Sequence, residues 1–105
     1  MAYRNLYQET VSCLEYFGRI AADVRFVAND TQVVDWDTFA ECAKSYNYDS
    51  GYGEVEVNQY LVVVGDDWWL ERRDYDGSEW WEYKTPPHLK NQKRDNIIQL
   101  TNRDV

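Results

Sequence analysis

The sequence is poor in the side chains on which most enzymes rely. It has one histidine, His88, standing beside Pro87 in a basic C-terminal stretch. A catalytic triad, an imidazole-rich metal site or a His acid/base pair would therefore rest on a single ill-placed residue. The two cysteines, Cys13 and Cys42, lack Cys-x-x-Cys spacing and are expected to be buried reduced thiols rather than a disulfide. Ser12, Ser45, Ser50 and Ser78 have no flanking nucleophile elbow. Gly51-Tyr52-Gly53 lacks the spacing, the lysine and the following helix of a phosphate-cradling loop. The longest aliphatic run is only Leu61 to Val64, and the N-terminus MAYRNLYQET lacks the apolar stretch of a signal peptide, so no membrane association and a cytoplasmic location are expected. These shortages point away from catalysis: no catalytic residue, metal site or cofactor is expected.

Aromatic residues and negative charge are abundant instead. Aromatic side chains make up 16% of the 105 residues, with five tryptophans and nine tyrosines. That content argues for a packed core despite a mean hydropathy of −0.75. Residues 1–83 carry 17 Asp and Glu against 6 Lys and Arg, a net of −11, whereas residues 84–105 carry 2 against 5, a net of +3. A field of that sign disfavours direct nucleic-acid binding and favours a basic protein partner. The length suits one compact domain, expected over residues 1–87, followed by a basic polar tail over 88–105.

Residues 4–17 return Leu6, Thr10 or Val11, Leu14 and Phe17 at helical spacing, with Gly18 as a stop. Val24, Phe26 and Ala28 alternate with Arg25 and Val27 as a first strand, closed by a turn at Asn29-Asp30. Asp35 or Asp37 is placed to cap a second helix, whose apolar stripe is Phe39, Ala40, Ala43 and Tyr46. Residues 48–53 read as a loop, Tyr60 to Val64 as a central strand, and Gly65-Asp66-Asp67 as a turn. Asn96 to Leu100 is the one stretch of the tail suited to a short strand. The expected fold is a small α+β domain: helix, strand, helix, then an antiparallel meander ending in a tryptophan-rich hairpin.

That hairpin, within GDDWWLERRDYDGSEWWEY at 65–83, is the most distinctive part of the chain. A three-residue Tyr75-Asp76-Gly77 loop opposes Arg73 to Glu79, whereas a two-residue Asp76-Gly77 loop opposes Asp74 to Glu79, two like charges. The three-residue loop is therefore expected. It gathers Trp69, Trp81 and Tyr83 on one face, taken as core, and Trp68, Leu70 and Trp80 on the other, with Arg72 beside Trp80. The segment Asp74 to Glu79 has glycine fourth rather than sixth, so it reads as a tight turn and not a calcium loop.

The stretch GDDWWLERRDYDGSEWWEYKTPP resembles small uncharacterised proteins of bacteriophages and other mobile elements. The resemblance covers 65–87 and implies a setting rather than an activity: short acidic phage products of this kind include inhibitors of host defence nucleases, among them anti-CRISPR and anti-restriction proteins. It implies a host nuclease or CRISPR effector as the basic partner. On that expectation Asp66, Asp67, Asp74, Asp76 and Glu79 lie exposed around one end of the sheet, with Tyr52, Trp68 and Tyr75 as aromatic anchors. The competing expectations are a carbohydrate binder or carbohydrate-active protein using the tryptophans and Asp66 or Asp67, and a phage structural or assembly factor.

Overall fold

A computed structural model describes residues 3–49, 54–88 and 90–102. In chain order the elements are β1 (Tyr3–Asn5), α1 (Leu6–Tyr16), a 3-10 turn (Ala21–Asp23), β2 (Phe26–Ala28), β3 (Val33–Val34), α2 (Trp36–Lys44), β4 (Asn47–Asp49), β5 (Val62–Val64), β6 (Trp69–Tyr75) and β7 (Ser78–Lys84). The protein is thus an α+β fold with one five-stranded antiparallel sheet, ordered β3-β2-β5-β6-β7, and a small β1–β4 pair.

Local chemistry sets the helix boundaries. The Asn5 side chain accepts from the Gln8 amide at 3.1 Å and so starts α1. At the other end Gly18 adopts φ +74°, while its amide and that of Arg19 donate to the carbonyls of Glu15 and Leu14 at 3.0 and 2.8 Å. This doubled bond closes the helix where a glycine can take the left-handed turn. Asp35 caps α2 by accepting from Thr38 N at 2.8 Å. Leu6, Thr10 and Leu14 of α1, and Phe39, Ala40 and Ala43 of α2, are buried.

Both helices contribute to one core with Val27, Val63, Leu70 and Trp81 from the sheet. Val27 pairs with Val63 and Val63 with Leu70, so the buried face runs straight across the central strands. In β2 this reverses the expected alternation: Val27 is buried and Phe26 is exposed. The short strand β3, and the strand β4, which overlaps the segment expected to be a loop at Tyr48 and Asp49, lie outside the expected elements. The Asn29-Asp30 turn is present, with Asn29 Oδ1 accepting from the Thr31 and Gln32 amides at 2.9 and 2.8 Å.

The main correction concerns the tryptophan-rich hairpin. Its loop is the two-residue Asp76-Gly77, with both residues at positive φ (51° and 86°), and Asp74 does oppose Glu79. Two left-handed residues give a turn whose twist matches that of the strands. The one-residue slip sends half of the hairpin to the other face. Trp68, Leu70, Arg72, Trp81 and Glu79 are buried, while Trp69 is half-buried and Trp80 is 38% exposed. Arg72 lies over Trp81, 4.8 Å from its ring centre, rather than beside Trp80.

Among the described residues every buried core residue falls between Leu6 and Trp81. Among the described residues after Lys84 there is no helix or strand, including the stretch Asn96 to Leu100.

Candidate functional site

The hairpin is anchored from inside by a buried ionic cluster. The Arg72 guanidinium donates to Glu9 at 3.0 Å, to Glu79 at 3.1 Å and to the Tyr48 hydroxyl at 3.1 Å. Glu79 also accepts from the Glu56 and Val57 amides at 2.8 and 3.1 Å, which ties the strand-to-strand connection before β5 to the hairpin. Tyr48 donates to Glu9. Burial, reinforced by that bond to Glu9, pushes the Tyr48 phenol well above its ordinary value. Burial opposes the charge on Arg72, but Glu9 and Tyr48 outweigh it and hold the guanidinium above its usual range. Arg72 Nε is buried without a hydrogen-bond partner, with the Trp81 ring beside the guanidinium. The Trp81 indole donates to Thr10 Oγ1 at 2.9 Å, and Thr10 in turn bonds the Leu6 carbonyl at 2.6 Å. This cluster is a structural clamp across four segments, and it explains why Glu79 is not a surface residue.

Antiparallel order decides which loops share an end of the sheet. The β2–β3 turn, the chain entering β5 and the β6–β7 tip fall at one end, whereas the Asp66-Asp67 turn falls at the other. Six residue steps of β6 put about 20 Å between the two ends. The first end carries the exposed carboxylates Asp30, Glu54, Glu56, Asp74 and Asp76, none of them in an ion pair among the described residues. Tyr60 and Tyr75, 57% and 78% exposed, stand with them. A shallow depression lined by Asp30, Glu56 and Tyr60 brings the β2–β3 turn against the chain entering β5.

The expected site residues therefore separate. Asp74, Tyr75 and Asp76 are exposed together at the hairpin tip. Asp66 and Asp67 are exposed at the opposite end, where Asp66 binds Arg25 and Asp67 lies 3.8 Å from Arg19. Glu79 and Trp68 are each only 2% exposed, so neither is a surface contact. Trp68 stacks near Tyr83 and under Arg19, with no room for a side chain at Gly65. Its burial takes one tryptophan away from the surface beside Asp66 and Asp67, while Trp80 stays 38% exposed. Tyr52 lies outside the described residues.

Asp30, Glu54 and Glu56 carry no local sequence signal that assigns them to such a site. Asp30 was recognised as part of a turn, and only the strand order, which local patterning does not contain, brings that turn to the same end as Asp74 and Asp76. Among the described residues no three His, Cys, Asp or Glu side chains converge as metal ligands, and no helix is long and apolar enough to cross a membrane. Known protein families, curated proteins and solved structures yield no match to the chain.

Proposed function

We propose that the protein is a non-enzymatic inhibitor of a host defence nuclease, which docks its acidic, tyrosine-bearing sheet end on a basic surface that otherwise holds nucleic acid. The observation that carries the reading is the set of five exposed carboxylates at one end, Asp30, Glu54, Glu56, Asp74 and Asp76, without an ion-pair partner among the described residues. The cations of residues 1–83 are committed elsewhere. Arg4, Arg19, Arg25, Arg72 and Arg73 each contact a carboxylate, and Lys44 lies 5.1 Å from the Tyr7 ring centre. Lysines and arginines that hold phosphates would meet carboxylates in their place. Tyr60 and Tyr75 supply the exposed aromatic surface that sets lifetimes in such interfaces. The mobile-element setting comes from the resemblance of 65–87, and it selects CRISPR or restriction nucleases among basic partners.

The test is capture of the partner from a bacterial lysate, followed by affinity measurement at two salt concentrations. A variant with Asp30→Asn, Glu54→Gln, Asp74→Asn and Asp76→Asn should bind far more weakly and lose most of its salt dependence. The control Asp66→Asn with Asp67→Asn, at the other end, should bind as the wild type does. Nucleic acid should compete with the protein for its partner. Unchanged affinity in the fourfold variant, or simultaneous binding of both ligands, refutes the reading.

A further inference from the structure

Strand β7 closes the sheet at one edge. Tyr75 and Ser78 flank the two-residue loop and form its hydrogen-bonded pair, so alternation turns the amides and carbonyls of Glu79, Trp81 and Tyr83 away from β6. None of these backbone groups bonds another described residue. Beside this free edge runs an open groove of about 530 Å³ between α1 and β7, lined by Gln8, Ser12 and Tyr16 on the helix, Phe17 just after it, and Trp80 and Trp81 on the strand. Tyr16 and Phe17 are 78% and 43% exposed there. A long edge with unpaired groups and apolar flanks is a template for another strand.

The chain also carries a segment of matching character. Ile97, Ile98 and Leu100 are 80%, 76% and 84% exposed, within the sequence Asn96-Ile97-Ile98-Gln99-Leu100. They follow Lys90, Lys93 and Arg94, in a stretch of net +3 attached to a body of net −11. We propose that residues 96–100 of one copy add as a strand to the β7 edge of a second copy, each copy supplying both tail and edge. Five extended residues span about 17 Å, enough to meet the free groups of Glu79, Trp81 and Tyr83 in turn. Ile98 and Leu100 then face Tyr16 and Phe17, while Ile97 falls on the Trp80 side. The basic stretch is drawn to the acidic body of its partner.

A second copy is the favoured donor. Pro86 and Pro87 hold the chain extended as it leaves β7, and among the described residues no helix or strand follows to carry 96–100 back to their own edge. Exchange between two copies is reciprocal, so the pair closes on itself instead of growing into a filament.

The experiment uses the full chain and the double variant Ile98→Asp with Leu100→Asp. Light scattering over a dilution series should give the wild type twice the 12.5 kDa mass of one chain at high concentration and a single-chain mass when dilute. The variant should stay monomeric throughout and melt as the dilute wild type does. Amide exchange at Glu79, Trp81 and Tyr83 should slow at least tenfold in the concentrated wild type alone. A wild type that is monomeric throughout overturns the proposal. So does a variant that still dimerises, which would place the interface elsewhere, or protection of the three amides that ignores concentration, which would make the chain's own tail the occupant.

Discussion

Replacing Arg72 by methionine should be among the most damaging changes this protein can suffer, because the side chain compensates two carboxylates at once. Its side chain is 2% exposed, against 9% for Glu9 and 1% for Glu79. Methionine preserves most of the volume over Trp81, so packing loss is small and the variant isolates the ionic effect. What remains is Glu79 enclosed with no cation and Glu9 with only the half-exposed Arg4, 3.7 Å away, and breaking a buried pair from one side costs about 3–5 kcal/mol. Domains of this size have about 5–15 kcal/mol in total, so the variant should sit near its folding threshold. The assay is urea unfolding followed by tryptophan fluorescence, for Arg72→Met, Glu79→Gln and the double variant. Glutamine offers a single acceptor oxygen, whereas Glu79 uses one oxygen for Arg72 and Val57 and the other for Glu56. Glu79→Gln should therefore destabilise by itself, but the double variant should lose about 1–3 kcal/mol less than the sum of the singles. A loss below about 1 kcal/mol for Arg72→Met, or strict additivity in the cycle, would refute a clamp held by charge.

Two further perturbations test the packing around the hairpin. A methyl group added at Gly65 would fall inside the Trp68 indole, so Gly65→Ala should cost about 2–4 kcal/mol, read as a lower urea midpoint with red-shifted fluorescence; an unchanged midpoint would mean that Trp68 has room to move. Raising the pH tests Tyr48, whose phenol is held above its ordinary value of 10.0: a raised value stabilises the protonated form, so this contribution is complete below pH about 10 and is lost as the pH climbs towards the folded-state value. The stability gap between wild type and Tyr48→Phe should accordingly shrink above pH about 10, and a gap that is constant with pH would separate Tyr48 from the cluster.

Local signals were legible where a single residue type had a single use. Gly18 ends α1, Asp35 caps α2, and the valines at 62–64 form a central strand because each feature acts within a few residues of itself. The hairpin register was not legible in the same way. Opposing Asp74 to Glu79 looks repulsive in isolation, and that repulsion was the reason for preferring the longer loop. The preference fails because Glu79 turns inward to Arg72, and Arg72 is itself held by Glu9, 63 residues earlier. Trp81 is fixed by a bond to Thr10 across 71 residues. Contacts of that separation leave no periodic trace, and with them went the choice of sheet face and the burial of Trp68 and Glu79.

The same register decides how the acidic end is built. With the two-residue loop, Asp74 and Glu79 are opposite neighbours whose fates divide: one carboxylate is drawn into the core, and the other stays in water. The inward one binds the Glu56 and Val57 amides, which pulls the chain entering β5 up to the hairpin and leaves the Glu56 side chain exposed. Buried charge thereby positions exposed charge. Loss of the clamp should thus scatter the exposed carboxylates before it unfolds the sheet, since a strand pair survives the freeing of a connection more readily than a connection survives the loss of its anchor. For the proposed function this means that Glu79, although it touches no partner, sets the spacing of the groups that do. Glu79→Gln should weaken partner binding even under conditions where the protein remains fully folded. Affinity equal to wild type, with the fold intact by circular dichroism, would show that the acidic end keeps its shape without the clamp.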